Sequence, residues 1–187
     1  MPGVGCVISV VVYGQKPDKP AEVLAAMLSA GSGVRLHLSD GLQFVGQGEC
    51  IFSVDAVSRL ERLLMPETVL VLADQTAPRR LELSPDTIVM AGADNRRARK
   101  LLQGRENRVV TCGTGLRDTI TMSSAERGRL LVCVQRELPT VKGDWIEPFE
   151  FVVNIRGCGI STALLAAGTA AVCGCDLSDR TADTGNN

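Results

Sequence analysis

The chain has 187 residues, of which 45% are hydrophobic and 3% aromatic, and it carries a formal net charge of −1 at pH 7. That length and apolar content suffice for one core and predict a single domain. The near-neutral charge excludes a global field that attracts nucleic acid or an anionic membrane, and the scarcity of aromatic residues disfavours base stacking, so neither partner is expected.

A buried first strand best explains the apolar N-terminal run. MPGVGCVISVVVYG lacks the basic segment of a secretory signal, is too short to span a bilayer, and is rich in Val up to Gly14. The turn GQKPDKP follows, and Pro20 suits the first turn of a helix because its missing N–H has no helical partner there. The segment AEVLAAMLSA continues that helix to Gly31, a favourable C-terminal cap.

The next segment predicts two strands, a loop and a second helix. VRLHLSD alternates apolar and polar residues as a half-buried strand does, GLQFVGQGE is Gly-rich and predicts a loop, and ECIFSV predicts a short strand. Asp55 is then placed to cap a helix over residues 56–65. On that helix Val57, Leu60 and Leu64 would form one apolar face.

Buried strands alternate with one more helix in the middle of the chain. TVLVLAD and TIVMAGAD are continuous apolar runs typical of a parallel sheet. Asp94 is placed to cap a helix over residues 95–103, and RVVTCG predicts the following strand. DTITMSS and RLLVCVQREL then predict antiparallel strands joined by AERG. DWIEPFEFVVN predicts an extended segment, and residues 161–173 predict a final helix capped by Gly174.

This order of elements predicts an α/β fold. Strands alternate with helices up to about residue 112, and a β-rich patch and a last helix follow. We therefore expect a three-layer structure: a mostly parallel sheet, helices on both of its faces, and a C-terminal antiparallel extension. One domain would span residues 1–177, and residues 178–187 would form a polar, frayed tail.

Cysteine usage is typical of a reducing compartment, which predicts a cytoplasmic protein with thiols used as small core residues. Cys173 and Cys175 are the closest pair, and His37 is the only histidine, so no metal site is expected. The seven cysteines are Cys6, Cys50, Cys112, Cys133, Cys158, Cys173 and Cys175.

Motifs for nucleotide binding and serine catalysis are missing from the sequence. None of the four lysines lies in a GxxxxGK[ST] loop, in which backbone N–H groups and the lysine hold phosphates. CGTGLRD contains GxG after a strand, but another strand follows it and no helix N-terminus is offered to a phosphate. There is no GxSxG motif either. We expect no cofactor, and in particular no ATP.

Five residues at the predicted ends of strands are candidates for ligand binding: Asp94, Asn95, Cys112, Arg117 and Asp118. Ligands of open α/β sheets bind at the carboxyl ends of the strands, which is where these residues fall. Simpler roles are open for four of them: a helix cap for Asp94, a small buried residue for Cys112, and a surface ion pair for Arg117 and Asp118. No catalytic residue is assigned.

A family resemblance rests on two segments. TIVMAGADNRRARKLLQ with RVVTCGTGLRDTIT resembles the latter part of the central domain of Mur ligases, the ATP-dependent amino-acid ligases of peptidoglycan synthesis. FVVNIRGCGISTALLAAGTAA resembles the family's G-x-H-N-x-x-N-A-L-A-A segment, and together they cover about residues 66–177. The resemblance implies the fold of that domain in a degenerate form. The family's His–Asn pair is Cys158–Gly159 here, its next asparagine is Thr162, and its TGTNGKT loop has no counterpart.

The chain also resembles a group of small uncharacterised bacterial proteins with the signature TCGxxxxDTxTxSS, which implies relatives but no reaction. We predict a non-catalytic Mur-ligase-like module, a pseudoenzyme that binds a protein partner or a small ligand in cell-wall metabolism. One alternative is a small enzyme with a site around Asp94, Cys112 and Asp118. Another is a structural subunit whose interface is the antiparallel patch of residues 123–153, with these contacts: Gln135, Arg136, Trp145 and Glu147.

Overall fold

A computed structural model describes residues 7–155 and 157–177, and this part of the chain forms a ten-stranded mixed sheet with three helices. The helices are α1 (Asp18–Leu28), α2 (Arg96–Leu102) and α3 (Ile160–Val172). The strands are β1 (Ile8–Tyr13), β2 (Gly33–Leu38), β3 (Gly41–Val45), β4 (Cys50–Val57), β5 (Arg62–Leu63), β6 (Thr68–Leu72), β7 (Glu82–Leu83), β8 (Ile88–Gly92), β9 (Val109–Cys112), β10 (Ile120–Glu126), β11 (Arg129–Val134), β12 (Leu138–Pro139), β13 (Trp145–Ile146) and β14 (Phe149–Asn154).

The main sheet has the strand order β14-β11-β10-β9-β8-β6-β1-β4-β2-β3. Its seven central strands, from β10 to β2, run parallel to one another. Strands β11 and β14 add to one side in antiparallel orientation, as the sequence predicted for the C-terminal part. The predicted α/β class, the mostly parallel sheet and its antiparallel extension are thus confirmed.

Helices cover both faces of the sheet, which confirms the three predicted layers. Helices α1 and α3 contact each other on one face and close the larger apolar core, which contains Leu24 and Leu164. Helix α2 covers the centre of the other face, where Ala98 and Leu102 pack with Leu70 of β6 in a smaller core. Because α2 has only two turns, it leaves the flanks of that second face without a helix.

The predicted helix over residues 56–65 is wrong. Strand β4 continues to Val57, paired with β1 as far as Tyr13, and the following residues are irregular apart from the short strand β5. Asp55 caps no helix; its Oδ1 lies 2.5 Å from Nδ1 of His37, the residue opposite it on β2. The apolar periodicity was misleading because Leu64 is half-exposed, whereas strand pairing between β5 and β7 satisfies the backbone of this segment.

The predicted loop GLQFVGQGE is also partly wrong, since its first five residues form β3, an antiparallel edge strand paired with β2. Its side chains alternate, but Leu42 and Phe44 point to solvent, so burial gave no signal for a strand. Gly46 ends the strand with a φ of 86°, and a Cβ there would overlap the carbonyl oxygen of Ser32. The close approach of the two backbones therefore requires glycine.

In the described residues, no helix has both the length and the apolar character that crossing a membrane requires. Helix α3 ends at Val172, and Gly174, the predicted cap residue, follows it in the left-handed conformation with a φ of 74°. The tail predicted over residues 178–187 lies outside the described residues.

Candidate functional site

The loops that follow β1, β6, β8 and β9 meet at the carboxyl edge of the parallel sheet. Backbone hydrogen bonds continue past the strand ends: Ala73 N–H donates to the carbonyl of Tyr13 at 2.9 Å, and Ala93 N–H donates to the carbonyl of Cys112 at 2.9 Å. Because these ladders hold the loops in fixed register, the polar side chains just beyond the strands lie close together.

Asp74, the first polar residue after β6, is the centre of this arrangement, and the sequence analysis missed it. Its Oδ2 accepts the N–H of Gln15 at 2.7 Å, and its Oδ1 accepts the N–H of Thr76 at 2.7 Å and the Thr76 hydroxyl. Burial raises the pKa of Asp74, but these hydrogen bonds and the charge of Arg97 outweigh it, so the pKa lies below its usual value. The sequence feature that could have identified Asp74 is its position as a single acidic residue at the end of the apolar run TVLVLA.

The N-terminus of α1 lies in the loop after β1 and carries a second carboxylate. The cap position is Pro17, which supplies no side-chain hydrogen bond, and Asp18 occupies the first turn. The Asp18 carboxylate accepts the N–H of Ser39 at 3.2 Å as well as the Ser39 hydroxyl. Pro20 has no N–H, so this helix start offers one donor fewer than usual.

Asn95 is a buried structural residue that joins two of the loops. Its Oδ1 accepts the N–H of Ala98 at 2.9 Å and so caps α2. Its Nδ2 donates to the carbonyl of Asp74 at 2.6 Å and to that of Thr76 at 3.1 Å. Asp94, the predicted cap, is exposed and makes no such bond, because the chain turns one residue later than the sequence suggested.

Asp118 is also turned inward. It is 7% exposed, and its Oδ2 accepts the N–H of Gly115 at 2.8 Å, which closes the turn between β9 and β10. A Cβ on Gly113 would overlap this carboxylate and would lie 3.0 Å from the Cβ of Ala93. The glycine of the TCG segment is therefore explained by the close packing of Asp118 against the neighbouring loop.

Cys112 and Arg117 lie in different environments. The Cys112 side chain is 4% exposed under α3, and burial, with the nearby negative charge of Asp118, raises its pKa far above the usual value. Its thiol is therefore neutral and shielded from solvent. Arg117 is exposed, and within the described residues it makes no ion pair with Asp118; its carbonyl instead accepts a 3.0 Å bond from Arg136.

The five candidate residues thus lie at one edge but do not share one accessible surface. Asn95, Cys112 and Asp118 are buried and already engaged or shielded, whereas Asp94 and Arg117 face solvent. Their role as ligand contacts stays a prediction. In the described residues, no group of three or more metal-ligating side chains has a geometry suited to a metal ion.

Solved structures of Mur ligases have the same fold. The murein peptide ligase Mpl of Psychrobacter arcticus is 11% identical with a TM-score of 0.60, and the match covers 92% of this chain and 45% of that one. A UDP-N-acetylmuramoyl-L-alanyl-D-glutamate–2,6-diaminopimelate ligase is 10% identical with a TM-score of 0.58, over 93% of this chain and 45% of the other. The MurF ligase of Thermotoga maritima, solved with ADP, is 12% identical with a TM-score of 0.51, over 94% and 48%.

These matches confirm the Mur-ligase-like fold that the sequence resemblance implied. They extend it from about residues 66–177 to more than nine-tenths of the chain. The chain spans about half the length of the ligases it matches. No protein-family model matches the sequence, and no curated protein aligns with it significantly.

Proposed function

We propose that this chain is a cytoplasmic, non-catalytic Mur-ligase-like module that binds a ligand or a protein partner in cell-wall metabolism and does not ligate amino acids at the expense of ATP. One observation carries the proposal: the carboxylate of Asp74 accepts the N–H of Gln15 in the connection between β1 and α1. A strand–helix connection of this kind is the place where phosphate-binding loops offer their backbone N–H groups.

The chemistry of that connection disfavours a nucleotide phosphate. Asp74 and Asp18 place two negative charges where a phosphate would need positive ones. The N–H of Gln15 is already bonded, and Pro20 has none to give. Lys19, which lies on the first turn of α1, faces solvent and pairs with Glu22 at 3.5 Å.

The start of α3 supports the same proposal. The resemblance places Cys158 and Gly159 at the positions of a His–Asn pair that helps to hold the nucleotide in the ligases. Neither residue replaces the lost donors, since the Cys158 thiol donates weakly to the carbonyl of Ile155 at 3.6 Å. Burial raises the pKa of that thiol despite the nearby charge of Lys19, so it offers no thiolate either.

The direct test is an assay of ligation with the purified chain. We would incubate it with ATP, magnesium, amino acids and UDP-muramyl precursors, and measure ADP release and product mass. An active Mur ligase serves as the positive control. We expect no turnover above the blank, and turnover that rises with the concentration of the chain would overturn the proposal.

A binding screen tests the other half of the proposal. A ligand that binds only the native state raises the melting temperature, by an amount set by its concentration and affinity. We expect ATP with magnesium to shift the melting temperature no more than inorganic tripolyphosphate with magnesium does, because no site for the nucleoside is expected. A larger shift with the nucleotide would contradict the argument from Asp74 and Asp18.

A structural-subunit role is a second candidate, favoured by the apolar exposure of the antiparallel patch. Trp145 is 57% exposed, and Val152, on the edge strand β14, is 37% exposed. The Arg108 guanidinium stacks over the Trp145 ring at 5.3 Å from its centroid. Size-exclusion chromatography coupled to light scattering would test it: a monomer whose Trp145 fluorescence stays unchanged at high concentration would exclude self-assembly through this patch.

A further inference from the structure

An open cleft of about 1300 Å³ lies on the α2 side of the sheet. Its walls are the chain after β4, the segment between β6 and β7, and the outer side of α2. We call it the basic cleft. Its lining residues are Tyr13, Ser58, Arg59, Leu60, Glu61, Arg62, Ala77, Pro78, Arg79, Arg80, Leu81, Glu82, Arg97, Lys100, Leu101 and Arg105.

Positive charge is concentrated in this cleft. Seven of its lining residues are cationic, six of them arginines, and only two, Glu61 and Glu82, are acidic. The whole chain, by contrast, carries a net charge of −1. A concave surface lined by one sign of charge raises the local concentration of ligands with the opposite sign.

Most of these cations have no carboxylate partner. In the described part of the chain, the only one in an ion pair is Arg62, whose Nε lies 2.9 Å from Oε2 of Glu82. Arg105 donates instead to two backbone carbonyls, to Leu101 at 2.9 Å and to Leu81 at 2.6 Å. Those bonds fix its guanidinium group at the cleft wall while leaving its charge unneutralised.

The cleft is built from ordered parts of the fold. Strands β5 and β7 pair in parallel and tie its two long wall segments together. Tyr13, Leu60 and Leu101 pack against the smaller core and give the cleft an apolar floor. The cleft exists because residues 58–65 form an irregular segment with the short strand β5 in place of the helix that the sequence predicted there.

We propose that the basic cleft binds a small oligophosphate, a ligand with two or more linked phosphate groups. The proposal deepens the binding role suggested above, but it needs only ligand binding there and not the absence of catalysis. Guanidinium groups match phosphate oxygens with paired N–H donors, and six arginines around one cavity suit several adjacent phosphates. This cleft borders on the β1–α1 connection, because Tyr13 lines it and the charge of Arg97 acts on Asp74. The ligand would lie on the arginine side of this border, since Asp74 and Asp18 repel anions.

Single-stranded nucleic acid shares this phosphate chemistry but fits the cleft less well. Proteins bind single strands by stacking successive bases on several aromatic side chains, and Tyr13 is the one aromatic residue in the lining of the cleft. A short oligonucleotide therefore enters the test as a competing outcome.

The test is isothermal titration calorimetry of the full chain with inorganic tripolyphosphate, at low and at moderate salt. We expect saturable binding that weakens as salt rises, because screening reduces the attraction at this open site. The double variant Arg79→Gln/Arg80→Gln removes two exposed charges of the cleft, and it should raise the Kd about tenfold or more, since bonds to charged groups are the strong ones.

Helix α2 offers a matched pair of controls for position. Lys100 lines the cleft and Arg96, on the same helix, does not. Lys100→Gln should raise the Kd about threefold, and Arg96→Gln should change it less than about twofold, because a charge outside the cleft is largely screened. Circular dichroism checks that each variant is folded.

Any of four results would overturn the proposal. Tripolyphosphate does not bind, or Arg96→Gln weakens its binding as much as Lys100→Gln does. Alternatively, tricarballylate, a small anion with three carboxylates, binds with the same affinity as tripolyphosphate, or only the oligonucleotide binds. ATP turnover together with tripolyphosphate binding lost in Arg79→Gln/Arg80→Gln would instead refute the proposed function and leave this inference standing. No turnover and no phosphate binding would refute only the inference.

Discussion

The backbone N–H of Gln15 donates a 2.7 Å hydrogen bond to Oδ2 of Asp74, a residue 59 positions away in the sequence. The bond ties the loop after β1 to the loop after β6. A Cβ on Gly14 would lie 2.9 Å from the same oxygen, so the loop backbone packs directly against the carboxylate. The Gln15 N–H, at a position that offers N–H groups to phosphate in nucleotide-binding folds, is thus already bonded to the protein's own anion.

Replacing Asp74 by Asn should destabilise the chain by about 1–2 kcal/mol at neutral pH. Both carboxylate oxygens accept hydrogen bonds, and Asn keeps only one accepting oxygen, so at least one of the three bonds is lost and the others lose their charge at this partly exposed site. The folded-state pKa of Asp74 is lowered, so the stabilisation is complete above its unfolded value near 3.8 and is lost as pH falls through the lower folded value. Urea unfolding of the wild type and the variant across this pH range measures the difference in their free energies of unfolding.

The control for Asp74 is Asp40→Asn, at an exposed carboxylate for which the described residues provide no hydrogen bond. This variant should change the free energy of unfolding by less than about 0.5 kcal/mol at neutral pH. The stability gap of Asp74→Asn should shrink below about pH 4. A gap that stays constant down to acid pH would mean that the carboxylate charge does not stabilise the loop.

Asn95→Ala should be more damaging, with a loss of about 2–4 kcal/mol. It removes the cap of α2, worth about 1 kcal/mol, and leaves the carbonyls of Asp74 and Thr76 without their buried donor. Asn95→Asp keeps the cap acceptor but not the donor, so its loss should come mainly from those carbonyls. Thermal and urea unfolding of both variants separates the two roles.

Asp94→Ala is the matched control, since the sequence places the cap at Asp94 and the structure places it at Asn95. We expect a change of less than about 0.5 kcal/mol at this exposed position. If Asp94→Ala proves the more destabilising of the two alanine variants, the cap has been assigned to the wrong residue.

The fold followed from the sequence where local signals were strong. Continuous apolar runs identified β1, β6 and β8 because strands buried on both faces have few polar side chains. Helix α3 was predictable because its apolar run ends at Gly174, which takes the left-handed conformation of a helix terminus. The alternation of strands and helices then predicted the three-layer arrangement, and the family resemblance implied the same fold.

Local sequence patterns did not predict the contacts between residues far apart in the chain. Asp55 looked like a helix cap because Asp often is one, but its partner is His37 on a neighbouring strand. Asp74 gave almost no signal, since its partner Gln15 lies on another strand-end loop. The basic cleft could not be predicted from the sequence for the same reason. Its cations come from segments around Arg59, Arg79 and Arg97, and only the folded sheet brings them together.

Gly113 and Asp118 should show strong energetic coupling. Gly113→Ala introduces a Cβ that overlaps the buried Asp118 carboxylate, so we expect a loss of about 2–3 kcal/mol from overpacking. Asp118→Ala removes the acceptor for the N–H of Gly115 and should cost about 1–2 kcal/mol. The double variant should lose at least about 1 kcal/mol less than the sum, because the clash disappears with the carboxylate.

Gly159→Ala is the control for added volume, because a Cβ there has no neighbour within 4 Å and the φ of −78° suits any residue. Gly159→Ala should lower the free energy of unfolding by less than about 1 kcal/mol, mainly because alanine is a weaker N-cap residue than glycine. Additive effects of Gly113→Ala and Asp118→Ala in urea unfolding would show that the two residues do not contact each other in solution.

Cys112 should resist alkylation in the native protein. Its thiol is buried against Gly168 of α3, and burial with the charge of Asp118 raises its pKa, so neither access nor thiolate is available. Partly exposed Cys50 should react with iodoacetamide at mildly alkaline pH at least about a hundredfold faster. Peptide mass spectrometry after timed labelling measures both rates in one sample.

The dependence on urea identifies the route by which Cys112 reacts. If only unfolding exposes it, its labelling rate must rise with urea in proportion to the unfolded fraction, while Cys50 barely responds below the transition. Fast labelling of Cys112 in native buffer would reverse the conclusion. It would place a reactive thiolate beside Asp118 at the carboxyl edge and favour the enzyme alternative over a non-catalytic module.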